Sequence, residues 1–382
     1  MCLSPSTTPS PSAASPRVAM VVEQMYQPVP GGSGTYITEL AQAALARGAR
    51  IAGLTAHHGD SLDPADVGLP AAMPLRSSRL PRLALYESWN HGGYPRAEAL
   101  LPGSEVVHAT TWAIPGTTLP LAVTVHDLAF LRSPEHFTHR GNAYFRRCLA
   151  RTIAHADAVI APSRATADDC VDAGIAAERI EVIPHGVRPR TVSSAHVESF
   201  RQTYGLTRPY LLWTGTREPR KNLRGLLAAF ELAAPHLPDL DLVLVGPAGW
   251  GEDSTQQPVP EALRARVHVL GRLSDDDLAG AYRGARAFAF PSHWEGFGLP
   301  VLEAMAYGAP VVTSRGTCME EVVGDAGLLA DPSSPEDIAA QLVLAAGSAH
   351  DELVEAGRVQ AARFTWEASA ASHLALYEEI AR

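Results

Sequence analysis

The 382-residue chain is 46% hydrophobic and 19% charged, a globular composition long enough for two domains with separate cores. Its 31 basic residues against 41 acidic ones leave a net charge of -10. That balance argues against whole-chain nucleic-acid binding, which needs a basic excess to neutralise phosphates. Of the 31 basic residues 30 are arginine, and the one lysine is Lys221, a bias that fits genome base composition.

Cys2, Cys148, Cys170 and Cys318 have no spacing that makes a disulfide framework or a zinc site, which points to a reducing cytoplasm. No uninterrupted apolar stretch in the sequence approaches the ~18–20 residues of a membrane helix. Residues 1–16 are rich in Ser, Pro and Thr, lack the basic and apolar regions of a signal peptide, and read as a disordered tail.

Ordered structure is expected to begin with the apolar run 17–22, which suits a buried strand. A glycine-rich bend, Pro30-Gly31-Gly32-Ser33-Gly34, leads to a helix over 35–48 carried by Ile37, Leu40, Ala41, Ala44 and Leu45. Strand-like runs recur at 106–109, 121–125, 158–161 and 180–183, with helical patterns between several of them. From Pro184 to about Thr207 the chain turns polar and irregular. The rhythm then restarts at 210–214, 240–245, 267–270, 287–290 and 310–313, and residues 366–380 read as a last helix. Strands that are apolar throughout, alternating with helices, predict parallel sheets covered on both faces. The expectation is an α/β chain of two similar domains with a boundary near 186–207.

Polar constellations fall at the ends of these strands. Gly32-Ser33-Gly34 lies between a strand and a helix, where amides and the helix dipole favour an anion. Ile37 occupies the place of a third fingerprint glycine, so a plain tight turn is the alternative. His126-Asp127 follows the strand 121–125 and either meets a bound hydroxyl or is structural. Gly215-Thr216-Arg217-Glu218-Pro219-Arg220-Lys221-Asn222 packs three cations into five positions before a helix. A polyanion explains such crowding; a solvated loop with Glu218 as partner is the other reading.

The sharpest signal is Glu295-Gly296-Phe297-Gly298-Leu299-Pro300-Val301-Leu302-Glu303. If Pro300 opens a helix, Glu295 lies in the loop before it, facing open amides where a sugar fits. Glu303 then sits one turn in, placed to accept hydrogen bonds from vicinal hydroxyls such as those of ribose. Two acidic clusters are set aside. Asp239-Leu240-Asp241 imitates a metal-binding pattern but sits at a strand's amino end, and Asp275-Asp276-Asp277 reads as first-turn acids. No catalytic metal is expected.

These motifs, with Ala161-Pro162-Ser163 and Ile183-Pro184-His185-Gly186-Val187, resemble the retaining nucleotide-sugar transferases of glycosyltransferase family four over roughly residues 17–380. The resemblance implies the GT-B architecture of two facing Rossmann-like domains. It implies an acceptor domain at 17–190, a nucleotide-sugar donor domain at 205–365, and a helix at 366–382 crossing back to the first domain. It also implies that Arg220 and Lys221, beside Gly215, bind the diphosphate and that Glu303 holds the ribose. Glu295 and the amides of Phe297, Gly298 and Leu299 would hold the donor sugar and phosphate. His126 would lie near the anomeric carbon, Gly32, Ser33 and Gly34 would approach the phosphate, and Gly271 and Arg272 complete the donor set. Thr216 stands where many members carry arginine, so Arg220 is expected to take that role, with Arg217 as competitor.

The implied reaction is metal-independent transfer of a hexose, mannose from GDP-mannose favoured, to a glycan or lipid-linked saccharide, with no cofactor beyond the donor. The alternatives are an NAD-dependent oxidoreductase on a doubled Rossmann fold and a non-catalytic sugar-nucleotide-binding protein. Arg76, Arg79 and Arg82 among Leu80, Leu83, Leu85, Tyr86 and Trp89, and the group Arg140, Arg146, Arg147 and Arg151, raise a further expectation. Either could touch anionic lipid at the inner face of the membrane, or be ordinary helix surface.

Overall fold

The computed structural model describes residues 15–59, 62–249 and 259–382. The tail expected at 1–16 therefore lies outside the described residues, apart from Ser15 and Pro16. Among the described residues thirteen strands form two sheets. The first contains β1 (Arg17–Val21), β2 (Arg50–Thr55), β3 (Leu75–Ser77), β4 (Val106–Ala109), β5 (Leu121–Thr124), β6 (Ala158–Ala161) and β7 (Ile180–Val182) in the order β3-β2-β1-β4-β5-β6-β7. The second contains β8 (Tyr210–Thr214), β9 (Asp241–Val245), β10 (Val267–Gly271), β11 (Ala287–Phe290), β12 (Val311–Ser314) and β13 (Leu328–Ala330) in the order β10-β9-β8-β11-β12-β13. Every pairing is parallel, so all strands of one sheet end on the same edge. In such a sheet the loops at the carboxyl edge are where ligands bind.

Side chains of the first sheet alternate between two cores, as a strand's period of two requires. Val18 and Met20 pack with Tyr36, Ile37, Leu40, Trp366 and Tyr377 on one face, while Ala19, Val107 and Val123 pack with Cys148 and Leu149 on the other. The second sheet is buried in one continuous core with helices on both sides.

The strands that sequence reading passed over have local reasons. β3 and β13 are three residues long, and β2 carries Gly53 at its centre. The first helix needs a correction: it spans Gly31–Ala46, not 35–48, so Gly32, Ser33 and Gly34 form its opening turn and not a separate bend. Glycine's low helix propensity hides such a turn from any reading by periodicity.

Segment 75–89 is β3 followed by a helix, Arg82–His91, with Leu85 and Trp89 in the core and Leu83 exposed. Glu87 on that helix pairs with Arg140 at 3.0 Å and with Arg147 at 3.7 Å, which occupies part of the basic group. Among the described residues no helix is long and apolar enough to cross a membrane.

The last helix, Trp366–Ile380, crosses back and packs against Gly31–Ala46. A buried polar chain fastens it there. His373 Nδ1 lies 2.8 Å from the Ser369 carbonyl, which can only accept, so that nitrogen carries the hydrogen. Every later link then has one direction. Tyr36 Oη donates to His373 Nε2 (2.8 Å), Thr124 Oγ1 to Tyr36 Oη (2.8 Å), His108 Nε2 to Thr124 Oγ1 (2.8 Å) and Tyr377 Oη to His108 Nδ1 (2.7 Å). The chain starts and ends on the last helix and runs through the first sheet, with each imidazole fixed in one neutral tautomer.

Burial keeps these histidines neutral: it lowers His373 to about 4 and holds His108 well below the usual imidazole range. A pKa depressed in the folded state means stability present above the unfolded value and lost as pH falls through the folded one. Between pH 6.5 and 4 the wild type should therefore lose roughly 3 kcal/mol more than His373→Gln, judged from the drop to about 4. Thermal melts of both proteins across that range check this; parallel pH profiles would contradict it.

Candidate functional site

The carboxyl edges of the two sheets face each other across a narrow junction. His126 follows β5 and Gly296 follows β11, and a Cβ added to Gly296 would sit 1.8 Å from the His126 carbonyl oxygen. Only glycine permits that approach. Ser163, after β6, donates to the Gly296 carbonyl at 2.7 Å. Arg272, after β10, reaches the Pro28 carbonyl beyond β1 at 3.4 Å. A Cβ on Gly32, in the first turn of its helix, would lie 3.5 Å from Leu299.

A charge cluster lies under this junction. Lys221 is 8% exposed, its Nζ is 2.9 Å from Glu295 Oε1, and it sits 4.8 Å over the Phe290 ring. Its stem crosses Gly215, where a Cβ would come within 2.8 Å of Lys221 Cδ and where the backbone has φ +148°. Arg220 pairs with Glu295, pairs with Glu218 at 2.7 Å, and lies 5.1 Å over the Trp294 ring. Asn222 anchors the turn. Its side-chain oxygen caps the helix Leu223–Ala233 through Gly225 N, and its amide donates to Pro291 O (3.0 Å) and Pro332 O (2.7 Å).

Burial opposes every charge here, and partners decide the outcome. Burial alone would raise the Glu295 carboxyl, but Arg220 and Lys221 override it and hold it at about 2. Burial raises Glu218 despite Arg220, and lowers Lys221 despite Glu295. Two cations and two carboxylates thus balance inside the protein. Two expectations need correction. Glu295 does not face open amides, because its carboxylate is taken by Arg220 and Lys221. The other reading of Arg220 and Lys221, a solvated loop with Glu218 as partner, holds for the Glu218 partner but not for the solvent, since their side chains are 19% and 10% exposed.

The helix Leu299–Tyr307 opens with Pro300 in its first turn, and Gly298 at φ +97° precedes it. No hydrogen bond among the described residues uses the amides of Phe297, Gly298 or Leu299. Phe297 turns its ring to His185, with centroids 5.0 Å apart. Glu303, inside the helix, accepts from Tyr282 Oη at 2.9 Å, and Tyr282 Oη meets Thr214 Oγ1 at 2.8 Å. Burial pushes the Glu303 carboxyl up to about 7, with the Tyr282 bond opposing.

His126 Nε2 lies 3.0 Å from the Thr110 carbonyl, so it donates, and Nδ1 is left as an acceptor. Burial lowers this imidazole, which keeps it neutral, and the Tyr36 ring packs edge-on at 5.0 Å. Gly271 has φ +70° and its carbonyl accepts from Gly246 N. The structure thus brings Gly215, Arg220, Lys221 and Glu295 together and sets His126 against Gly296. Gly32 and Arg272 bridge the same junction. Arg217 stands apart: among the described residues its guanidinium makes no ion pair, and its carbonyl abuts Gly249.

Asp241 is the first residue of β9 and gives its carboxylate to His268 at 2.9 Å. Asp275 and Asp276 pair with Arg190 in the first turn of the helix Asp275–Gly284. Sequence reading missed Tyr282, which lies on the buried face of that helix with no motif to mark it. It also missed Thr166 and Glu321, and it quoted Ser163 without a role, although Ala161-Pro162-Ser163 marked the place.

Comparisons with known proteins agree with this arrangement. The family profile described as "Glycosyltransferase Family 4" matches residues 30–191, and "Glycosyl transferases group 1" matches residues 197–358. The chain is 33% identical over 270 residues to the O-antigen chain mannosyltransferase B of Escherichia coli, covering 69% of this chain and 71% of that protein. It is 30% identical over 282 residues to the serotype-specific mannosyltransferase WbdA of Escherichia coli, covering 70% of this chain but 34% of WbdA, so it spans about a third of that relative. In three dimensions it is similar to Anabaena HepE, solved in complex with UDP and glucose, with a TM-score of 0.73, 20% identity, and coverage of 95% of this chain and 100% of that one.

Proposed function

Because the chain belongs to glycosyltransferase family four, we propose that it transfers a hexosyl group, mannose favoured, from a nucleotide diphosphate sugar to a saccharide hydroxyl, with retained anomeric configuration and no catalytic metal. The observation that carries this reading is the buried Arg220–Glu295–Lys221 cluster at the meeting of two carboxyl edges. The mannose preference rests on likeness to the two Escherichia coli mannosyltransferases. The acceptor is a glycan or a lipid-linked saccharide. Family membership supports transfer over the oxidoreductase and the non-catalytic readings.

Breaking the bond between the anomeric carbon and a phosphate oxygen leaves growing negative charge on the diphosphate. Cations already fixed in a water-poor site stabilise that charge without reorganising, the largest single source of rate enhancement in many enzymes. Arg220 and Lys221 fill this role here. Before donor arrives, Glu295 and Glu218 keep the two cations in place and neutral as a group. The diphosphate then takes over the cations, and the freed Glu295 carboxylate accepts from sugar hydroxyls. The free amides of Phe297, Gly298 and Leu299 meet the phosphate at the start of their helix. His126 offers Nδ1 to a sugar hydroxyl near the reacting carbon. Attack comes from the face the phosphate leaves, and the departing oxygen takes the acceptor proton.

Lys221→Ala should lower kcat for transfer by about 10²–10³-fold at saturating donor, the usual loss for one transition-state charge partner. A mass-spectrometric transfer assay with a panel of nucleotide sugars, run in EDTA, measures this and identifies the donor. Near-wild-type turnover of the variant, or loss of wild-type turnover in EDTA, would contradict the reading.

Glu303 gives a pH signature. With its carboxyl at about 7 in the free protein, it is half protonated at neutral pH and must ionise to accept from two ribose hydroxyls. Donor KM should fall as pH rises from about 6 to 8, by up to about tenfold per pH unit below the pKa. In Glu303→Gln the donor KM should be raised and flat with pH; an unchanged profile would refute the assignment.

A further inference from the structure

We infer that Ser163 and Thr166 are positioning residues for the transfer step: their hydroxyls hold the Gly296 carbonyl, so closing the two domains and ordering the charge cluster are one event. The inference rests on the transferase reading above and goes beyond it by giving the first domain a hold on the second domain's catalytic loop.

The helix Arg164–Asp172 begins where β6 ends, at the edge that faces the second sheet. Ser163 is its cap, accepting from Thr166 N at 3.1 Å, yet the same hydroxyl donates outward to Gly296 O at 2.7 Å. Thr166 Oγ1 donates to that carbonyl at 3.0 Å, so two donors occupy both lone pairs of one oxygen. The two remaining amides of the turn are also spoken for from across the junction. Arg164 N and Ala165 N donate to Glu321 Oε2 (2.8 Å) and Oε1 (2.9 Å). A carboxylate at a helix N-terminus is favoured by both the dipole and the orphan amides.

Glu321 belongs to the short helix Met319–Val323 of the second domain, and its neighbour Cys318 donates Sγ–H to the Glu295 carbonyl at 3.0 Å. Consecutive carbonyls of the catalytic loop are therefore held from opposite sides: Glu295 O by its own domain, Gly296 O by the other. Gly296 is also pressed against the His126 carbonyl, so the loop cannot shift toward the first domain. One peptide separates this grip from the carboxylate that organises Arg220 and Lys221, and the next residues carry the free amides. If the domains part, all four hydrogen bonds to Gly296 and Glu321 break together, and the loop keeps only contacts within its own domain: Cys318 on the Glu295 carbonyl, and Arg220 and Lys221 on the Glu295 carboxylate.

The test compares wild type with the double variant Ser163→Ala/Thr166→Val and with Glu321→Gln, which leaves the helix cap in place. Each is measured by small-angle scattering, by thermal melting, and by kcat and nucleotide-diphosphate Kd. The double variant should expand in scattering and lose about tenfold or more in kcat, while its nucleotide-diphosphate Kd stays within about threefold, since the two lost hydrogen bonds touch no nucleotide. Glu321→Gln should shift both readouts the same way by less. A folded double variant with wild-type kcat overturns the inference, whether or not its scattering changes, and so does a loss of kcat matched by an equal loss of nucleotide affinity. Absence of transfer by the wild type would instead count against the proposed function; the scattering and nucleotide-binding comparison would still show whether the grip closes the molecule, and an unexpanded double variant would then overturn it.

Discussion

Glu295 sits between Arg220 and Lys221 with only 10% of its side chain exposed, and a carboxylate so largely shielded must be answered by charge. The two cations are equally unable to stand alone there, since removing one partner of a buried pair leaves an uncompensated charge. This mutual dependence fixes the neighbourhood. Gly215 lacks a side chain because the Lys221 stem occupies its space, and Asn222 leaves the usual backbone region to turn both cations inward. With Glu218 paired to Arg220 the cluster is neutral as it stands, which lessens its pull on stray anions. A diphosphate brings its own charge and can displace Glu295 without leaving any group unpaired.

The larger architecture serves to bring this cluster to a shared edge. Parallel strands deliver their following loops to one side of each sheet, and two such sides set face to face make a cleft from many short segments. The last helix makes the arrangement a closed one. It leaves the second domain, lies on the first, and is locked there by the directed chain from Tyr377 through His108, Thr124 and Tyr36 to His373. His185, in the segment after β7, packs between Trp366, Tyr36 and Phe297, so the crossing helix and the catalytic loop share a wall. Ser163 and Thr166 then add a second contact from the first domain, to the carbonyl of Gly296 beside Phe297.

Much of this was legible in the sequence, and the exceptions have physical causes. The strands at 106–109, 158–161, 210–214 and 287–290 could be read to the residue because they are almost wholly apolar and, 106–109 apart, are followed at once by a glycine or a proline. The last helix was equally plain. β2, β3 and β13 were not seen, being short or broken by glycine, and the first turn of the first helix was concealed by glycines that carry no periodic signal. In the site, the spacing from Glu295 to Glu303 located the loop and its helix. The direction of the Glu295 carboxylate was misread, because a local pattern shows which residues are near a site but not which distant cation will claim them. Tyr282, Thr166 and Glu321 act through contacts made across 21, 130 and 157 residues, and nothing local in their segments announces such partners.

The account is tested most directly by a crystal structure of the protein soaked with a nucleotide diphosphate sugar. It predicts the diphosphate within hydrogen-bond reach of Lys221 Nζ and the Arg220 guanidinium, the ribose hydroxyls on Glu303, and the Glu295 carboxylate turned from the cations to the sugar. A nucleotide bound elsewhere, with the Arg220–Glu295–Lys221 cluster undisturbed, would contradict it.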